Sequence, residues 1–177
     1  VGIIDRNGGL LKPEGFSLDE IRQLFLTRDG NCLAAPNLIP YDELMEKIWS
    51  VEAEIFLPCA RSRVLTRAQV DQMKAAGMEV ISSGANVPFD DPQIFLGPTA
   101  IHADNSLAVL PDFIANCGMA RAFAYFMGSD GPLEDEAIFK DVSNCIYDAL
   151  ADVNSMNPET TALWQAGLGL ALDKLGS

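Results

Sequence analysis

Apolar positions in the first half of the chain come in short runs separated by turn residues. Val1-Gly2-Ile3-Ile4-Asp5 is β-branched and ends on an acid before Asn7-Gly8-Gly9, which predicts a buried parallel strand and a turn. From Ser17 the spacing changes. Ile21, Leu24 and Phe25 recur at helical intervals, and Ser17 with Glu20 three residues later makes a capping box, so a helix is predicted over residues 18–28. Asp29-Gly30 stops it, Pro36 and Pro40 mark a loop, and Leu44, Met45 and Ile48 predict a second, short helix over 42–49. The run 53–60, halted by Pro58, predicts a second strand. Thr66 caps a helix carrying Val70, Met73 and Lys74 up to Gly77. Residues 78–82 predict a third strand running into Ser83-Gly84-Ala85-Asn86, and 106–110 a fourth.

The last third reads differently. Residues 112–127 are apolar nearly all round (Phe113, Ile114, Met119, Phe123, Tyr125, Phe126), the pattern of a helix buried on most sides. Gly128-Ser129-Asp130-Gly131-Pro132 ends it. A second helix opens at Glu134-Asp135-Glu136, where negative charge complements the helix dipole, and carries Ile138, Val142, Cys145, Ile146 and Ala149 in one stripe. Asn157-Pro158-Glu159 predicts the start of a final helix with Trp164, Leu168, Ala171 and Leu175 on one side.

Strands alternating with helices, joined by connections too long for hairpins, define an α/β architecture with a mostly parallel sheet and C-terminal helices. In such sheets ligands bind where strands end. That rule gathers Asp5, Pro58-Cys59-Ala60, Gly84-Ala85-Asn86 and the turn before Asp112 into one expected neighbourhood. The opening strand has no lead-in, and a strand with one unpartnered side is an unusual beginning for a domain, so upstream sequence is expected to be missing.

Charge narrows the function further. With 12 Lys and Arg against 25 Asp and Glu, the net charge of −13 repels nucleic acid and anionic membranes. No apolar run approaches a bilayer span of about 20 residues. Cys32, Cys59, Cys117 and Cys145 lie far apart in sequence and the one histidine, His102, completes no common zinc set, so no metal site is expected and the thiols read as reduced in a cytoplasmic protein. Cys59 with His102 as a nucleophile and base competes poorly with a small packed thiol and a loop imidazole. Gly167-Leu168-Gly169 lacks a third glycine and falls inside a predicted helix, so it is no phosphate loop. From spacing alone, Asp5 stays open between a turn residue and a ribose-binding acid.

The strings Ile55-Phe56-Leu57-Pro58-Cys59-Ala60, Ser83-Gly84-Ala85-Asn86 with Pro88, and Leu110-Pro111-Asp112-Phe113-Ile114-Ala115-Asn116-Cys117-Gly118 resemble, in order and spacing, the glutamate/leucine/phenylalanine/valine dehydrogenase family. Asp5-Arg6-Asn7-Gly8-Gly9 with Lys12-Pro13-Glu14-Gly15 is similar to the segment after the second strand of that family's cofactor domain. The resemblance implies a partial Rossmann-like dinucleotide-binding domain over 1–127, lacking its first strand and Gly-rich loop, with a helical segment, 128–177, packed on it. It also implies reversible nicotinamide-dependent deamination of an L-amino acid by the intact parent, inactivity of this chain alone, a missing substrate domain as partner, and a homo-oligomer. Asp5 is then expected at the adenosine ribose, favouring NAD, while Arg6 leaves NADP open. Pro58, Cys59 and Ala60 lie along the dinucleotide, Gly84 and Ala85 let backbone approach it, and Asn86 and Asn116 hold the nicotinamide side. Departures from the family pattern are Met119 after Gly118, Phe123 or Ala124 where a serine often meets substrate, Arg63 and Phe89. They keep two alternatives in view: an NAD-dependent oxidoreductase of another substrate class, and a non-catalytic regulatory or assembly module on the same fold.

Overall fold

The computed structural model describes residues 1–128 and 131–176, so Ser129 and Asp130 of the predicted helix stop lie outside the described residues. The chain divides into two compact units, Val1–Glu54 with Ala68–Met78, and Ile55–Arg67 with Glu79–Ser177.

In the first unit the opening strand is not part of a parallel sheet. β1 (Gly2–Ile4) pairs antiparallel with β2 (Gly8–Leu11), Ile3 opposite Leu10, and β2 pairs antiparallel with β3 (Ile39–Pro40). The reason is local. The Asp5 amide donates to the Gly8 carbonyl at 2.8 Å, and its carboxylate Oδ1 accepts the amides of Asn7 at 2.7 Å and Gly8 at 3.3 Å, so the chain reverses at once. Gly8 then sits at φ 147°, and a Cβ there would lie 2.0 Å from the Ile39 carbonyl oxygen. Only glycine admits β3 at that distance. The expected turn Asn7-Gly8-Gly9 is therefore half turn and half strand.

α1 (Leu18–Leu26) is capped as anticipated: Ser17 Oγ accepts the Glu20 amide at 3.2 Å, and Glu20 Oε2 accepts the Ser17 amide at 2.7 Å. α2 (Tyr41–Met45) and a 3-10 turn (Ile48–Ser50) bury Leu44 and Trp49. α3 (Arg67–Ala75), all but its first residue in this unit, begins just after Thr66 and buries Val70 and Met73.

The second unit holds a parallel sheet of order β4 (Ile55–Phe56), β5 (Val80–Ser82), β6 (Ala108–Leu110), with Phe56 opposite Ile81 and Ile81 opposite Val109. Ile81 and Val109 are buried. Between β5 and β6 lies α4 (Pro98–Asp104), which the periodicity did not reveal because it is one short stretch opened by Gly97-Pro98. Asp91, buried, caps it: its two carboxylate oxygens accept the Thr99 and Ala100 amides at 3.0 and 2.9 Å.

The helix expected over 112–127 is two helices, α5 (Asp112–Ala115) and α6 (Gly118–Gly128), because α5 closes after one turn at Asn116. Nor is α6 buried on most sides. Met119, Phe123 and Met127 are exposed, and the helix is tied down on one flank, where Arg121 binds Asp141 with both Nε and Nη2 at 2.6 and 2.9 Å. α7 (Asp135–Met156) supplies that flank and opens with the acidic turn expected of it.

The last helix, α8 (Leu163–Gly176), starts later than Asn157-Pro158 implies. Asn157 ends α7 instead, its amide donating to Val153, while its side chain organises the following loop by accepting the Glu159 amide at 3.2 Å and donating to the Thr161 carbonyl at 2.8 Å. The N-terminus of α8 is capped from α4. Asp104, fully buried, accepts the Trp164 amide at 2.8 Å and the Gln165 amide and Nε2 at 3.1 and 3.0 Å. Among the described residues no helix is long and apolar enough to cross a membrane.

Candidate functional site

Three consecutive strands of the second unit deliver their following loops to one edge of the parallel sheet. After β4 comes Pro58-Cys59-Ala60, after β5 Ser83-Gly84-Ala85-Asn86, and after β6 Pro111-Asp112 and α5. Hydrogen bonds stitch them together. The Ala85 amide donates to the Pro58 carbonyl at 2.8 Å, joining the first two loops, and the Val87 amide donates to Asp112 Oδ2 at 2.7 Å, joining the second to the third. Gly84 packs against Cys59 so closely that a Cβ on it would lie 2.6 Å from the Cys59 sulfur.

Beyond these bonds the second loop is fastened to the segment after Ala60. Arg63 donates its amide to the Val87 carbonyl at 2.8 Å, and Val64 and Leu65 donate to the Pro88 carbonyl at 2.9 and 3.1 Å. Both Arg63 and Val87 occupy the left-handed region, φ 56° and 48°. That conformation costs a β-branched residue about 1–2 kcal/mol. Here Val87 is restrained on both sides, its amide by the Asp112 carboxylate and its carbonyl by Arg63.

The consequence at the surface is a pair of carboxamides. Asn116 Nδ2 donates to Asn86 Oδ1 at 2.7 Å across thirty residues of sequence, and both side chains are exposed. Around them the loop residues are small: Ala60 is exposed, Gly84 half-buried and Ala85 buried. The second unit thus brings together Pro58, Cys59, Ala60, Gly84, Ala85, Asn86 and Asn116.

Asp5 and Arg6 belong to the first unit. There the Asp5 carboxylate accepts the Asn7, Gly8 and Leu33 amides, Oδ2 taking the last, and Arg6 Nε donates to the Cys32 sulfur at 3.2 Å. A carboxylate offers about four acceptor positions, so among the described residues one on Oδ2 is left. The same unit has a groove of about 770 Å³ between Leu10–Phe16, α1 and Ala34–Asn37, whose lining includes neither Asp5 nor Arg6.

By sequence, Asp112 marks a helix start within the family-like string 110–118, with no structural role of its own. It is the buried residue that fixes the second loop, with Oδ1 accepting the Phe113 amide at 3.0 Å while Oδ2 holds Val87. An acid directly after Pro111 at the end of a predicted strand was the available signal. Ser83 was read only as part of the loop. It is buried, and its hydroxyl has no partner among the described residues.

A Rossmann-like α/β fold with a parallel sheet is what this topology defines, and comparison with solved structures agrees on the fold. The hetero-hexameric glutamate dehydrogenase of Thermus thermophilus superposes with a TM-score of 0.65 at 21% identity over 99% of this chain and 39% of that one. Glutamate dehydrogenase 2 of Plasmodium falciparum gives 0.66 at 19% identity over 97% of this chain and 39% of that one. At sequence level, residues 1–125 match the family model of the Glutamate/Leucine/Phenylalanine/Valine dehydrogenases, and the chain belongs to that family. Glutamate dehydrogenase B of Halobacterium salinarum is 30% identical over 129 residues, covering 67% of this chain. The Thermotoga maritima glutamate dehydrogenase is 28% identical over 125 residues, again 67% of this chain. The chain spans 25% and 26% of the lengths of these two curated relatives.

Proposed function

We propose that this chain supplies nicotinamide-dinucleotide-binding surface to an amino acid dehydrogenase, with glutamate the leading substrate class by similarity. The observation that carries the reading is the Asn86–Asn116 carboxamide pair, exposed at adjacent ends of a parallel sheet and fixed from behind by Asp112. Carboxamides recognise a nicotinamide amide or a ribose hydroxyl without adding charge, and Ala60, Gly84 and Ala85 place no long side chain beside them. These residues fit the nicotinamide half of the cofactor. Within the first unit, taken by itself, the Asp5 carboxylate has one acceptor position suited to a single ribose hydroxyl and would repel a 2′-phosphate, which favours NAD over NADP. A relative with 25% identity over 118 residues, from Halobacterium salinarum, is described as NAD-specific glutamate dehydrogenase A.

The cofactor, when bound, accepts or gives the hydride. This chain's contribution is to orient the carboxamide end of the ring through Asn86 and Asn116 and to keep the loop rigid through Asp112. The strand-end residues 58–60 and 83–87 contain no carboxylate, imidazole or amine to act as a base on an amino acid, and Asp112 is engaged with two amides. Turnover by this chain alone is therefore not expected. A separate substrate domain and assembly into an oligomer complete the proposal, the Thermus thermophilus relative being described as a hetero-hexamer.

Titration of the 177-residue chain with NADH, followed by nicotinamide fluorescence, tests the reading. Replacing both Asn86 and Asn116 by alanine is expected to weaken binding by about tenfold, the loss of one to two net hydrogen bonds. Equal affinity in the parent and the double variant, or no binding in either, would overturn the reading and favour the non-catalytic module.

A further inference from the structure

We propose that Cys117 and Cys145 form an oxidisable dithiol site, closed to a disulfide by a hydroperoxide and tethering the start of α6 to α7. The two helices are held in a defined antiparallel register. Arg121 meets Asp141 through two hydrogen bonds at 2.6 and 2.9 Å, and the backbone of Gly118 lies against Val142, where a Cβ would approach its Cγ1 at 3.6 Å. Cys117 lies four residues before Arg121, and its carbonyl accepts the Arg121 amide at 2.9 Å, so the two occupy one side of the helix. Cys145 lies four residues after Asp141 on the facing side of α7. The ion pair therefore brings the thiols opposite each other.

The side chains lie as this register requires: the Cys145 thiol is near enough to act electrostatically on Cys117, and Arg121 on both. Each thiol is half-buried, reachable by a small peroxide, and neither is in a disulfide. Burial, with the neighbouring Cys145 thiol as a second cause, pushes the Cys117 thiol up. A protonated thiol is a poor nucleophile, so this burial disfavours Cys117 as the first sulfur to react and suits it to the second, resolving step.

Cys145 thiolate attacks one peroxide oxygen, the O–O bond breaks, and the departing alkoxide or hydroxide takes up a proton, leaving a sulfenic acid on Cys145. The Cys117 sulfur then attacks the sulfenic sulfur, an S–S bond forms, and water leaves with the Cys117 proton. In sum the two thiols are oxidised by two electrons and the peroxide is reduced, giving an alcohol or water from the O–O fragment and one further water. Because Cys117 directly follows Asn116, the cross-link also restrains the backbone beside the carboxamide pair.

The test treats the 177-residue chain with a small excess of hydrogen peroxide, blocks remaining thiols, and maps peptides without reduction. A Cys117–Cys145 disulfide with Cys32 still a free thiol is expected, and reductant should reverse it. Two variants keep the order of events open to refutation. In Cys117→Ser a sulfenic acid at residue 145 should be trapped by a dione probe, whereas in Cys145→Ser residue 117 should label at least about tenfold less. No Cys117–Cys145 cross-link in the parent overturns the site, and equal sulfenic labelling in the two variants overturns the assigned order. Asp141→Asn, which weakens the ion pair, should slow cross-linking severalfold; an unchanged rate would show that the register does not hold the thiols together.

Discussion

Asp112 offers the sharpest stability test of the strand-end site. Its carboxylate is buried and accepts two amides, Val87 at 2.7 Å and Phe113 at 3.0 Å. A hydrogen bond to a charged group contributes about 1.5–3 kcal/mol, and the local bond to Phe113 is a cap-like contact worth about 1 kcal/mol, so Asp112→Ala removes roughly 2–4 kcal/mol. Part of that returns when Val87, no longer held, leaves the left-handed region and recovers up to about 1–2 kcal/mol. The net cost is about 1–3 kcal/mol, which for a chain of this size lowers Tm by roughly 3–10 °C. Asp112→Asn separates the hydrogen-bonding account from simple space filling. Asparagine has the same shape but only one acceptor oxygen, so its NH2 must face one of the two amides, and the variant should be at least as unstable as alanine. Urea unfolding followed by far-ultraviolet circular dichroism measures both. If Asp112→Asn stays within about 0.5 kcal/mol of the parent, the carboxylate does not hold the loop and the reasoning fails.

Two further outcomes follow from polar contacts elsewhere in the chain. Asp104→Ala leaves the Trp164 and Gln165 amides without their acceptor, so about 2–4 kcal/mol should be lost and, in a Trp49→Phe background, Trp164 emission should shift to the red before global unfolding; coincident transitions would contradict a cap confined to α8. Lys12, with further help from Ser17, holds the Glu20 carboxyl down at about 2 from 4.5. Because the folded value is depressed, the contact's stabilisation is complete above 4.5 and disappears as pH falls through about 2. Carboxyl NMR titration should show Glu20 protonating near 2 in the parent and well above that in Lys12→Met, and similar midpoints would refute the pairing.

How much of this was readable in advance depended on whether the cause lay nearby in the chain. The Ser17–Glu20 capping box, the acidic opening of α7 and the three parallel strands were legible because each is decided by residues within a few positions. β1 was given the wrong partner. Its composition suits a parallel strand, but the Asp5 carboxylate reverses the backbone within three residues, an interaction that strand periodicity does not report. The start of α8 was misplaced because its cap, Asp104, lies sixty residues away, and a local motif at Asn157 mimicked an N-terminus. The apolar residues of α6 could not reveal how many sides would be covered. Asn86 and Asn116 were named from family likeness; their hydrogen bond, and the role of Asp112 behind it, required the folded backbone.

The Asp104 cap also bears on the order of events during synthesis. Its carboxylate leaves the ribosome well before the amides of Trp164 and Gln165 that will neutralise its burial. Until they arrive, sealing α4 over that acid would strand a charge in an apolar setting, which is costly. The nascent sheet must therefore remain partly open at this corner, accessible to water, until translation has delivered the helix that closes it.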